Sequence, residues 1–71
     1  MLDVVLEVAG EVFGREVRAA DDFYELGGDS ICAVEIAAAL QARIGRDVDA
    51  VDLLDATDFG DFAGRLAAAR R

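Results

Sequence analysis

Residues 21–36 read DDFYELGGDSICAVEI: an acidic, aromatic loop passes through two adjacent glycines into an apolar helix that begins at a serine. The second half of this stretch decides the fold. Asp29 or Ser30 stands where a helix N-cap belongs. Ala33, Ile36, Ala37, Leu40 and Ile44 follow at i, i+3, i+4, i+7 and i+11, one apolar helical stripe closed by Gly45.

Upstream of this helix, Leu2, Val5, Leu6, Ala9, Val12 and Phe13 fall on another stripe, with Asp3 in the first turn and Gly14 as a stop. Between Arg15 and Asp29 the helical period disappears, and Phe23, Tyr24 and Leu26 remain as anchors that pin a long connection onto the core. Downstream, Val48, Val51, Leu53 and Leu54 support only a short helical segment. Thr57 then stands where it can cap a last helix carrying Phe59, Phe62, Ala63 and Leu66, weakened by Gly60 and Gly64. The chain has no repeat, strand pattern, low-complexity tract, linker or proline. The expected fold is all-α: one four-helix bundle over residues 1–71, with three longer helices and a short third.

Composition bounds what such a bundle does. In 71 residues there is room for one small core. With four Phe, one Tyr and no Trp, that core must be built from aliphatic side chains and alanines. Fifteen acids against seven arginines give a net charge of −8, a field that repels nucleic acid and anionic lipid and draws basic protein surfaces. No signal h-region or apolar run of membrane-spanning length occurs, and one Cys makes no internal disulfide, so a cytoplasmic monomer is expected. The charge is also unevenly placed. No Arg occurs from Ala19 through Ala42, whereas Asp21, Asp22, Glu25, Asp29 and Glu35 do. Ser30 therefore lies in a zone of one sign, which would steer basic enzymes toward its hydroxyl over a Debye length of roughly 8–10 Å.

Two readings of Ser30 follow from local physics. In one, Asp29-Ser30 only caps a helix after a glycine turn. In the other, Gly27 and Gly28 leave the backbone open to a large partner, and unpaired N–H groups at the helix start favour an anionic group esterified to the hydroxyl. Local physics does not choose between them. The composition argues against nucleophilic catalysis, which normally needs a neighbouring base, since the chain has no His and no Lys. The acids of residues 21–29 lack the alternating ligands and closing Glu of a calcium loop. Cys32 lies about 200° around the helix from Ser30 and reads as a small packed hydrophobe.

The wider pattern Asp21-Asp22-Phe23-Tyr24-Glu25-Leu26-Gly27-Gly28-Asp29-Ser30-Ile31 resembles the signature of the phosphopantetheine-dependent carrier proteins of thiotemplate synthases. The resemblance runs through the first helix, the long loop, the serine-led helix, the short third segment and the last helix. It implies that Ser30 carries a covalent 4′-phosphopantetheine arm, added from coenzyme A by a phosphopantetheinyl transferase, whose thiol holds cargo as a thioester. Gly28 and Asp29 would belong to the cofactor site, with Asp29 helping the transferase to position magnesium and coenzyme A. Ile31, Val34, Glu35 and Ala38 would face partners. The double glycine is more similar to peptidyl carriers of nonribosomal synthetases than to polyketide or fatty-acid acyl carriers, which usually have another residue at the position of Gly28. Aminoacyl or peptidyl cargo and adenylation, condensation or tailoring partners are then expected, the carrier itself having no catalytic residues and no resident metal. An acyl carrier is the alternative, and an acidic helical interaction module is a third reading. The sequence departs from the family in reading Asp47-Val48-Asp49 where carriers often have a proline, and in having no aromatic in the third segment. The initiating Met and terminal Arg70-Arg71 suit a free-standing carrier, although an excised domain with an added start codon reads the same.

The stripe of the serine-led helix places Leu40 inside and Val34 outside. Leu40→Ala should destabilise by about 2–5 kcal/mol, a large share of the stability of so small a domain. Val34→Ala should leave the melting temperature nearly unchanged while slowing partner reactions. Thermal denaturation followed by circular dichroism separates the two, and equal losses would mean that the faces are reversed.

Overall fold

The stripes and their glycine stops produce four helices: α1 (Leu2–Phe13), α2 (Ser30–Ile44), α3 (Ala50–Asp55) and α4 (Phe59–Ala68). The computed structural model describes residues 1–68, and among them there is no strand. Arg70-Arg71 lies outside the described residues. Gly14 and Gly45 end α1 and α2 in left-handed conformations, each donating its N–H to the carbonyl four residues back.

The core is wholly apolar, with no buried polar or charged residue among those described. On α2 the buried side chains are Ala33, Ile36, Ala37 and Leu40, the stripe expected from spacing, with Ile44 half-buried at its end. On α4 they are Phe59, Phe62, Ala63 and Leu66. The buried arc of α1 is turned relative to its sequence stripe, with Leu2, Leu6, Val12 and Phe13 only half-buried. Val8 joins Val5 and Ala9 inside, where α1 packs against α2 and α4. Two valines outside the helices, Val17 and Val48, complete the core from the connections, and Leu53 is the only buried residue of α3.

Phe23 ties the long connection to this core. Its ring is buried and meets Phe13 of α1 edge-on at 6.0 Å and Phe59 of α4 at 6.4 Å, a favourable aromatic geometry. The other side of the ring lies against Gly28, where an added Cβ would overlap three ring carbons. Leu26 is half-buried against the core. Tyr24 differs from the sequence expectation: it is exposed, and is held by its rim contact with Phe23 and by its hydroxyl, which donates to the carbonyl of Leu54 at 2.9 Å.

The start of α4 shows how fully the connection is integrated. Of the N–H groups that a helix start leaves without internal partners, that of Phe59 donates to the carbonyl of Asp21 and that of Gly60 to the carbonyl of Ala19. The Asp61 N–H donates to Oδ1 of Asp58 at 2.8 Å. The cap is therefore Asp58 and not Thr57. Thr57 contributes only its backbone N–H, which donates to Oδ2 of Asp61 at 3.0 Å. A short carboxylate one residue nearer the helix reaches the third N–H, and the threonine hydroxyl is not used.

At the other end of the bundle, Arg46 donates from Nη2 to the carbonyl of Leu66 at 2.6 Å, and Val48 N–H donates to the Gln41 side-chain carbonyl. α2 and α4 thus point the same way, both starting at the Phe23 end, and α1 and α3 each pack against the two of them. The Arg43–Glu7 ion pair between α2 and α1 is exposed and contributes little.

Two glycines give opposite expectations. Gly28→Ala forces a methyl into the Phe23 ring and should destabilise by about 1–3 kcal/mol. Gly64 is exposed, helical and has no neighbour within 4 Å of an added Cβ, so Gly64→Ala should stabilise by about 0.5–1 kcal/mol. Urea titration of both variants checks the signs, and a neutral Gly28→Ala would contradict the packing at Phe23.

Candidate functional site

The approach to Ser30 is a short, internally bonded turn. Asp22 accepts the Tyr24 N–H on its side chain at 2.8 Å and the Leu26 N–H on its carbonyl, an arrangement that short carboxylates favour. Gly27 follows with φ 92, a left-handed conformation that a side chain would strain. Gly28 donates its N–H to the carbonyl of Phe23 at 3.0 Å. The double glycine therefore has two separate causes, a backbone angle at Gly27 and a close ring at Gly28, where the sequence alone shows only openness.

This turn delivers Asp29 as the N-cap of α2. Its backbone is extended, its Oδ1 accepts the N–H of Cys32 at 2.9 Å, and its carbonyl accepts that of Ala33. Ser30 becomes the first helical residue, exposed, with its hydroxyl free of the capping role. The N–H groups of Ser30 and Ile31 find no acceptor among the described residues. A phosphate ester on the Ser30 oxygen fits this position: two backbone donors are uncommitted and the positive end of the helix dipole is at hand. Asp29 leaves them uncommitted by spending its carboxylate on the third.

The remaining residues singled out from sequence are spread along the outer side of the same helix. Ile31 is 72% and Val34 58% exposed, and Glu35 and Ala38 are also exposed. Cys32 is half-buried, and its thiol is pushed up by burial and then by the charges of Glu35 and Asp29. It is held as the neutral thiol, which is a poor nucleophile. Among the described residues, no group of His, Cys, Asp and Glu is arranged to hold a metal ion, and no helix is long and apolar enough to cross a membrane. Sequence reasoning misses the exposed Val51 of α3, 52% accessible, because Val48, Val51, Leu53 and Leu54 mark a segment too short to assign its faces. It also misses the hydroxyl of Tyr24, which no local pattern connects to a carbonyl thirty residues away.

The family described as the phosphopantetheine attachment site matches residues 3–66, from the first turn of α1 to the last turn of α4. The chain belongs to this family. It is a carrier and not an enzyme, and its cofactor is covalently attached 4′-phosphopantetheine. The carrier is 39% identical to an enniatin synthase of Fusarium equiseti over 57 residues, which are 80% of this chain and 2% of the synthase. It is 43% identical to a plipastatin synthase of Bacillus subtilis over 54 residues, 75% of this chain and again 2% of the relative. The carrier thus spans about 2% of the length of these relatives. Its fold is shared with a type-II acyl-carrier-protein from Streptomyces verticillus involved in bleomycin biosynthesis. The TM-score is 0.87 at 24% identity, over 94% of this chain and 82% of that one.

The cap geometry carries its own test. Asp29→Ala removes the acceptor for the Cys32 N–H and should cost about 0.5–2 kcal/mol, whereas Asp29→Asn, which keeps an acceptor oxygen, should cost less. Denaturant melts of the two variants are the check. Equal losses would show that the charge of Asp29, and not its hydrogen bond, holds the start of α2.

Proposed function

We propose that Ser30 is the attachment point of the phosphopantetheine arm and that residues 1–71 act as one monomeric carrier domain for aminoacyl or peptidyl groups. The observation that carries this reading is the exposed Ser30 hydroxyl at the first position of α2, beside two uncommitted N–H groups and inside the segment matching the family. Attachment forms a bond from Ser30 Oγ to phosphorus and breaks the diphosphate link of coenzyme A, whose adenosine bisphosphate portion leaves. The hydroxyl proton must go to a base, and this chain offers neither His nor Lys. The transferase supplies that base, and the carrier's part is to present the oxygen. Once attached, the arm supplies the thiol on which cargo is held as a thioester.

A peptidyl rather than acyl cargo is supported by the Gly27-Gly28 pair and by similarity to a nonribosomal peptide synthetase of Curvularia clavata, 34% identical over 60 residues. Adenylation and then condensation or tailoring enzymes are the partners this reading requires. Ile31, Val34, Glu35 and Ala38 are the docking face, centred on apolar side chains with one carboxylate. Glu35 is the only acid within α2 and lies about 140° around the axis from Ser30, where it meets a basic rim and acts mainly on association rate.

Incubation with coenzyme A, magnesium and a promiscuous phosphopantetheinyl transferase should add one phosphopantetheine mass, and Ser30→Ala should abolish the addition. Unchanged intact mass under conditions that modify a control carrier, or full modification of Ser30→Ala, overturns the attachment site. The holo form should then accept an amino acid from an adenylation enzyme, more slowly in Glu35→Arg and with the difference largest at low salt. Loading by malonyl or fatty-acyl groups alone refutes the peptidyl cargo and leaves the carrier standing.

A further inference from the structure

The third helix is the least anchored element of the bundle. It has six residues, far below the length at which a helix persists unaided, and only Leu53 is buried. At its start Asp49 caps it by accepting the Val51 N–H at 2.9 Å. At its end two side chains reach its carbonyls: Arg65 touches that of Asp55 at a long 3.4 Å, and the Tyr24 hydroxyl donates to that of Leu54 at 2.9 Å. The tyrosine bond is the shorter, and it comes from the loop that leads directly into Ser30. It joins residues thirty apart in sequence while the side chain remains 52% exposed, so burial of the ring alone does not explain its placement.

α3 also carries an exposed apolar side chain, Val51, on an element that packs against α2. Ile31 and Val34 are the corresponding exposed apolar residues of α2. Acids accompany them on every element: Asp22 and Glu25 on the loop, Glu35 on α2, and Asp52 and Asp55 on α3. These residues suit an enzyme with an apolar centre and a basic rim, and where Val51 stands relative to those of α2 is set by how α3 is held.

We propose that Tyr24 is a positioning residue for the docking of the phosphopantetheinyl transferase. Its hydroxyl, by holding the carbonyl of Leu54, fixes α3 so that Val51 is presented together with Ile31 and Val34. The proposal rests on the attachment reading above and adds a residue and a helix to it. Tyr24 touches no reacting atom. It acts through α3.

The test is Tyr24→Phe, which keeps the ring beside Phe23 and removes only the hydroxyl. Two readouts are taken on the full chain, amide hydrogen exchange of the unmodified protein and the kinetics of modification by the transferase. Loss of one ordinary hydrogen bond should raise exchange of the α3 amides about fivefold, with α1 and α2 unchanged. KM for the carrier should rise, by at most the same factor, with kcat unaltered, the signature of weakened docking without altered chemistry. Val51→Ala should raise KM in the same direction and leave α3 exchange as in the wild type. Unchanged α3 exchange in Tyr24→Phe, a uniform increase over all four helices, or an unchanged KM in either variant overturns the proposal. If the wild-type chain gains no mass at Ser30, the attachment reading fails instead, while the exchange comparison still decides whether Tyr24 holds α3.

Discussion

The ring of Phe23 against the backbone of Gly28 is the constraint on which the rest of the structure depends. One face of the arrangement belongs to the core, where Phe23 meets Phe13 of α1 and Phe59 of α4. The other belongs to the start of α2, because the residue after Gly28 is the cap and the next is Ser30. An aromatic ring is large and rigid, and only a residue without a Cβ lets it sit this close. The position of the Ser30 oxygen is thereby referred to the packed interior through two residues, although the oxygen itself is on the surface.

Charge and backbone chemistry divide the labour at this end of the bundle. The exposed α2 start keeps two N–H groups uncommitted, whereas α4, which begins nearby, has its first three satisfied by Asp21, Ala19 and Asp58. Two helix starts with the same intrinsic polarity are thus treated differently: one is closed with carbonyls and a carboxylate, the other left open beside an exposed hydroxyl. Only the open one can receive an anionic ester without displacing an existing partner.

Much of this is legible in the sequence, and the parts that are not share a physical cause. The stripe of α2 is readable because a single helix face is buried there, and the glycine stops because chain reversal demands a left-handed residue. Val8 is not readable, since how far α1 is turned about its axis into the core is a property of the assembly. Gly28 is visible as a glycine, but its reason, the Phe23 ring, is a tertiary contact. The α4 cap falls one residue later than the sequence suggests because Thr57 and Asp58 are both competent caps, and only the geometry of the incoming chain selects between them. Tyr24 reads as an apolar anchor because its hydroxyl partner lies on an element with little sequence signal of its own. The Ser30 neighbourhood is legible as a pattern, and what the fold adds is that Asp29, by taking the cap, frees the serine.

The way the loop closes α4 bears on how such a chain diverges. Ala19 and Asp21 bind the helix through their carbonyls, which every residue type possesses, so no particular side chain at either position is needed for those two bonds. Neighbouring side chains at Glu16, Arg18 and Ala20 are exposed. The loop can therefore drift in charge, size and polarity while its path is kept by peptide groups, the buried Val17 and the Asp21 carboxylate, which accepts the Arg18 N–H at 2.9 Å. Surface identity and scaffold geometry are separable here, and a stretch of surface from a different carrier could be grafted between Gly14 and Asp21, with Val17 and Asp21 retained, without redesign of the helices it connects.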